Sequence, residues 1–141
     1  PSIVNSDSTS LIFSKLGSIS GILCGLSFMG IGLTPYNYYP DNHMFVVKLG
    51  FQLILLVMFL HSLAILKNKV SLDKKTIYVY IVFMGVLSFY IYLLNWGPSI
   101  DEGNGLMIHV VWQKITVIGL STTIFIQSLI LKKHIEALRQ V

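Results

Sequence analysis

Residues 44–66 read MFVVKLGFQLILLVMFLHSLAIL, and Lys48 is the only Asp, Glu, Lys or Arg among them. A helix of about 20 consecutive apolar residues crosses the roughly 30 Å hydrocarbon core of a bilayer. Three further runs, at 13–33, 76–94 and 107–131, meet the same requirement. The sequence therefore predicts four transmembrane helices and an all-α integral membrane protein.

The connections between these four runs are short. Short connections make successive helices antiparallel neighbours, which predicts a four-helix bundle made of two antiparallel helical hairpins. The polar start of the chain resembles a loop and lacks the basic segment of a signal peptide. This indicates either removal of an initiator methionine before Pro1 or a further helix upstream. The predicted segments are a polar N-terminal segment at 1–12, a transmembrane domain at 13–131 and a basic tail at 132–141.

Composition supports the membrane class. Of the 141 residues, 54% are hydrophobic and 11% charged, and the mean hydropathy is +0.74; soluble domains carry about 25% charged residues. The net charge of +4 does not indicate nucleic-acid binding, because the basic residues flank the apolar runs without interleaved aromatics. Membrane lipids are the expected partners. The single cysteine, Cys24, excludes an intrachain disulfide or a multi-cysteine metal site.

Charge also predicts the orientation of the helices. Most of the ten Lys and Arg residues fall on one side, which the positive-inside rule assigns to the cytoplasm together with both ends of the chain. The other side carries acids and interfacial aromatics. The basic residues are Lys15, Lys67, Lys69, Lys74, Lys75, Lys132, Lys133 and Arg139, and the opposite set is Asp41, Asp101, Glu102, Tyr36, Tyr38, Tyr39 and Trp96.

The last apolar run contains a polar stripe. His109, Gln113, Thr116, Thr123 and Gln127 stand at offsets of 0, 4, 7, 14 and 18, which place all five in one sector of a helix. Lipid cannot satisfy these groups, so the stripe is predicted to face other helices, a cofactor or water. We favour hydrogen bonding between helices, at about 0.6 kcal/mol per contact. A substrate path is the alternative.

The other runs have faces of their own. Lys48 and Gln52 form a polar face on the second run, and Ser88, Tyr92 and Asn95 form one on the third, so that three polar faces can converge. The first run instead spaces three glycines four residues apart, which predicts close packing against a neighbouring helix. These glycines are Gly17, Gly21 and Gly25.

Histidines and acids near the predicted outer boundary are the candidate metal ligands. They are His43, His109, Asp41, Asp101 and Glu102. Imidazole and carboxylate together can hold zinc, and two histidines on facing helices can ligate haem. The spacing matches no zinc motif such as a paired His-Glu-x-x-His, so no cofactor is predicted and zinc and haem stay alternatives. His61 is interpreted as a packing or solvated residue. Lys48 and Lys114 are interpreted as snorkelling side chains or as residues that recognise a lipid phosphate or a carboxylate.

The connection at 35–43 reads PYNYYPDNH. Its prolines are predicted to stop helices and its tyrosines to anchor at the interface, which leaves only His43 without a role. The order proline, acid, histidine and lysine recurs in each hairpin, with chance as an equal explanation. The two sets are Pro35, Asp41, His43 and Lys48, and Pro98, Asp101, His109 and Lys114.

Two segments carry a family resemblance: GIGLTPYNYYPDNH at 30–43 and VWQKITVIG at 111–119. They resemble the bacterial and archaeal membrane proteins called domain-of-unknown-function 998, which are similar to the Frag1/DRAM/Sfk1 group. The resemblance implies a prokaryotic plasma membrane location, lipid or glycolipid biology and no agreed activity. Members of the family usually have five or six spans, so the four found here agree with a further helix upstream. No catalytic residue carries over.

The sequence thus favours a non-enzymatic polytopic membrane protein that interacts with lipid or serves as a small subunit of a larger membrane complex. No complete catalytic constellation supports an enzyme. The alternative is a membrane-embedded metal-dependent hydrolase, or a haem- or metal-binding subunit, that uses the outer histidines and acids.

Overall fold

The computed structural model describes residues 8–67 and 75–139. Lys69 and Lys74, both assigned to the cytoplasmic side, lie outside the described residues. The described chain is all α-helical with turns, and contains no strand. Its four helices are each long and apolar enough to cross a membrane, which confirms a polytopic membrane protein. They are α1 (Ser8–Leu33), α2 (Pro40–Lys67), α3 (Lys75–Trp96) and α4 (Gly105–Arg139).

The helices form two compact units, a first hairpin of α1 and α2 and a second hairpin of α3 and α4. In the first hairpin Ser10 bonds to Ala64, whereas Cys24, later in α1, bonds to Gly50, earlier in α2. Partners that run in opposite directions along the two helices make the pair antiparallel. The contacts of the second hairpin follow the same order, since Phe83 lies against Gly119 and Phe89 against Trp112, so α3 and α4 are antiparallel as well.

The first residues of α1 and α2 differ from their predicted positions for identifiable reasons. Helix α1 begins at Ser8, before the apolar run at 13–33, because a helix continues into polar sequence when its side chains find partners. The sequence predicts that Pro40 stops a helix, but in the structure Pro40 is the first residue of α2. Proline suits the first helical position, where its missing N–H has no intrahelical partner and its fixed φ is already helical.

Small side chains make the inner face of α1. Its buried residues are Ser10, Gly17, Ser20 and Ser27, spaced by seven, three and seven residues. That spacing is typical of helices that cross at a shallow angle, and small residues let the two backbones approach closely. The close packing predicted at the spaced glycines is present at Gly17, where a Cβ would overlap the ring of His61. It is absent at Gly25, because nothing lies within 4 Å of a Cβ built there.

Short polar side chains bridge the first hairpin. Ser10 Oγ donates to the Ala64 carbonyl at 2.9 Å, and Cys24 Sγ lies 3.6 Å from the Gly50 carbonyl oxygen. A serine or cysteine reaches the backbone of another helix only when the two helices are close. The small residues of α1 therefore supply both the space and the donors for this contact.

The second hairpin is packed differently. Helix α3 buries apolar and aromatic residues at 80, 83, 87, 90 and 94. Opposite them, α4 buries His109, Thr116 and Thr123, and the Phe83 ring lies 3.1 Å from a Cβ built on Gly119. The polar stripe of α4 is thus on the same side of the helix as its contact with α3.

Candidate functional site

The polar stripe lies on the covered side of α4. Thr116 and Thr123 are buried, and so is His109 with 7% of its surface exposed. Gln113 and Gln127 are half-buried. A stripe placed in this way avoids exposing amides and imidazole to acyl chains, where each unsatisfied group costs several kcal/mol.

Most bonds of the stripe stay inside the second hairpin. Thr116 Oγ1 donates to the Trp112 carbonyl and Thr123 Oγ1 to the Gly119 carbonyl, both at 2.8 Å and both one turn back on α4. The side-chain amide of Gln127 on α4 is hydrogen-bonded to the hydroxyl of Tyr80 on α3. The threonines therefore need no second helix, and of these three residues only Gln127 joins one helix to the other.

His109 fastens the connection between α3 and α4. Its Nε2 lies 2.9 Å from the Pro98 carbonyl oxygen. Because that oxygen only accepts, Nε2 carries the hydrogen, and in the neutral ring the lone pair is on Nδ1. Nδ1 is buried and has no hydrogen-bond partner among the described residues. An orphaned acceptor of this kind costs about 1–3 kcal/mol.

His43 makes the corresponding hydrogen bond in the first hairpin. Its Nδ1 lies 2.6 Å from the Thr34 carbonyl oxygen, and its ring meets Tyr36 edge-on, with centroids 5.8 Å apart. In both hairpins, then, a histidine near the start of the second helix binds a carbonyl just beyond the end of the first. The repeated order of proline, acid, histidine and lysine coincides with a repeated structural role, and His43 now has one.

The other predicted site residues are more dispersed. Asp41, Asp101 and Glu102 are exposed, and no group of three or more His, Cys, Asp or Glu side chains gathers among residues 8–67 and 75–139. His43 and His109 belong to different hairpins, so a zinc or haem site shared between them stays an alternative that the structure does not test.

The remaining polar faces are mostly exposed. Gln52 on α2 and Ser88, Tyr92 and Asn95 on α3 are exposed, whereas Lys48 is half-buried. Asn95 donates to the Ile91 carbonyl of its own helix. Convergence of the α2 face with the α4 stripe stays a prediction, because α2 and α4 belong to separate hairpins. Ser88, Tyr92 and Asn95 lie in the same hairpin as α4 and are exposed there.

One end of the second hairpin carries an aromatic cluster that the sequence pattern did not predict. Phe89 and Trp112 join α3 to α4 with ring centroids 4.6 Å apart. Tyr92 lies 6.5 Å from Phe89 and 5.7 Å from Trp96, with rings tilted by 31° and 30°. The spacing of 89, 92 and 96 on one helical face was a usable signal, but the partnership with Trp112 requires knowing how α3 and α4 pair.

No family model matches this chain, and no curated protein or solved structure matches it either.

Proposed function

We propose that this chain is a non-enzymatic membrane protein that acts through its contacts with membrane lipid. The observation that carries the proposal is the bonding of the α4 stripe, the polar feature that the alternative assigns to a substrate path. Thr116, Thr123 and Gln127 find their partners inside the second hairpin. Bonds within α4, together with one bond from Gln127 to α3, favour a structural role for the stripe over a path for a substrate.

Lipid is the expected neighbour of α1 and α4. Only 17% of the apolar stretch of α1 and 11% of that of α4 is buried within the chain. These faces need acyl chains or another membrane protein against them, because water cannot cover them at membrane depth. A role as small subunit of a larger membrane complex is the second candidate, and the same exposed faces favour it.

Native mass spectrometry after purification in mild detergent tests this proposal. We expect the released protein to carry lipid molecules at reproducible stoichiometry, since tightly seated lipid survives removal of the detergent. A stable second polypeptide would support the subunit role instead. A stoichiometric metal ion or haem without lipid would contradict the proposal and favour the hydrolase or haem-binding alternative.

We also propose that the connection between α2 and α3 and the end of α4 face the cytoplasm, as the positive-inside rule indicates. Single cysteines at Ser71, which lies outside the described residues, and at exposed Ser99 test this in a Cys24→Ser background. Serine keeps the donor that Cys24 directs at Gly50. In intact cells an impermeant maleimide should label position 99 and spare position 71. Labelling of position 71 alone would reverse the orientation.

A further inference from the structure

The aromatic cluster, defined as Phe89, Tyr92, Trp96 and Trp112, is open on its outer side. Trp96 is 72% exposed, Tyr92 54% and Phe89 45%. The rings nonetheless contact one another from two helices, with neighbouring α3 rings within about 30° of parallel. Single interfacial aromatics anchor a helix without touching each other, whereas a contiguous aromatic surface offers several π faces to one ligand.

The charges next to the cluster are negative. The connection between α3 and α4 starts directly after Trp96 and contains Asp101 and Glu102, both exposed, and no Lys or Arg. The nearest Lys or Arg to Trp112 on α4 is Lys114, two residues beyond it and therefore about 200° around the helix. Within the described second hairpin, the side of α4 that carries Trp112 thus has no Lys or Arg at this end, and two exposed carboxylates follow Trp96 in the connection.

We propose that the aromatic cluster binds the ammonium group of a zwitterionic membrane lipid, such as phosphatidylethanolamine or phosphatidylcholine. Aromatic faces attract ammonium groups through the ring quadrupole, most strongly at tryptophan. Tyrosine and tryptophan sit at headgroup depth in a bilayer, where such an ammonium lies. The acids of the connection add attraction for the cation and repel anionic headgroups. The inference rests on the proposed lipid-binding function and names the headgroup class and its site.

A competition between headgroups tests the inference. The full chain in mild detergent is incubated with equal amounts of phosphatidylethanolamine and phosphatidylglycerol of identical acyl chains, and native mass spectrometry counts the lipids retained. We expect phosphatidylethanolamine to be favoured about fivefold, as one partly desolvated cation–π site would give. The paired substitution Tyr92→Leu with Trp96→Leu should lower the ratio to the smaller preference that Asp101 and Glu102 give without the aromatic faces.

The matched control is Phe125→Leu, which removes an aromatic ring that is 64% exposed elsewhere on α4 and should leave the preference unchanged. Both tryptophans of the chain belong to the cluster, so tryptophan fluorescence, excited selectively over tyrosine, reports this site alone during titration with short-chain lipids. Saturation at lower concentration for phosphatidylethanolamine than for phosphatidylglycerol supports the inference. Retained lipid without any headgroup preference overturns it and leaves the proposed function standing; no retained lipid at all overturns both.

Discussion

Replacement of Gly17 by leucine is expected to lower the free energy of unfolding of the first hairpin by about 3 kcal/mol or more, because the position has no room for a side chain. A Cβ there would lie 2.5 Å from Cε1 and 2.6 Å from Nδ1 of His61. The imidazole cannot easily turn away, since its Nδ1 is bonded to the Val57 carbonyl at 2.9 Å. The two helices must therefore separate to admit the new side chain.

The rate at which the single cysteine is modified measures the separation of α1 from α2. Cys24 is half-buried in the contact between α1 and α2, so its modification by a small maleimide reports separation of the two helices. A loss of about 3 kcal/mol predicts a rate of modification roughly a hundredfold higher. Gly25→Leu is the matched control, because nothing lies within 4 Å of a Cβ there. His61→Ala added to Gly17→Leu should restore slow modification, and a double variant as reactive as the single one would refute this packing account.

The hydrophobicity of the sequence predicts that each of the four helices exists, but it does not predict where the helices end. The four apolar runs each became a helix, but α4 continues past 107–131 to Arg139. Apolarity marks the part of a helix that lies in lipid, whereas backbone hydrogen bonding continues through Lys132 and Lys133 until a residue or cap ends it. Lys132 and Glu136 even form an i, i+4 ion pair in this extension.

The candidate site was predictable only where one helix carried the whole pattern. The stripe from His109 to Gln127 was visible at helical spacing within a single run. The inner face of α1 was less visible, because serines such as Ser20 and Ser27 look like polar residues until a close partner helix is known. The joining of Phe89 to Trp112 depends on the pairing of α3 with α4, which no local pattern contains.

In the second hairpin we expect substitution of His109 to cause the largest loss of stability. Substitution His109→Ala should lower the free energy of unfolding by about 2–3 kcal/mol, since it opens a cavity at a buried position and removes the donor to the Pro98 carbonyl. Relief of the unpartnered Nδ1 offsets part of this cost. Unfolding in a dodecyl sulfate titration, followed through Trp96 and Trp112, measures the effect close to the substituted residue.

Leucine at the same position separates structural bonding from ligand binding. His109→Leu keeps most of the side-chain volume, loses one hydrogen bond worth about 1 kcal/mol and removes an orphaned acceptor that costs about 1–3 kcal/mol, so its stability should stay within about 1 kcal/mol of wild type. Gln113→Leu, half-buried one turn along the same stripe, should also change stability modestly. If His109→Leu were as unstable as His109→Ala and lost its retained lipid while Gln113→Leu did not, Nδ1 would be accepting a hydrogen bond from a bound molecule. The stripe would then begin at a binding site, because its buried imidazole would be oriented by Pro98 to hold a ligand.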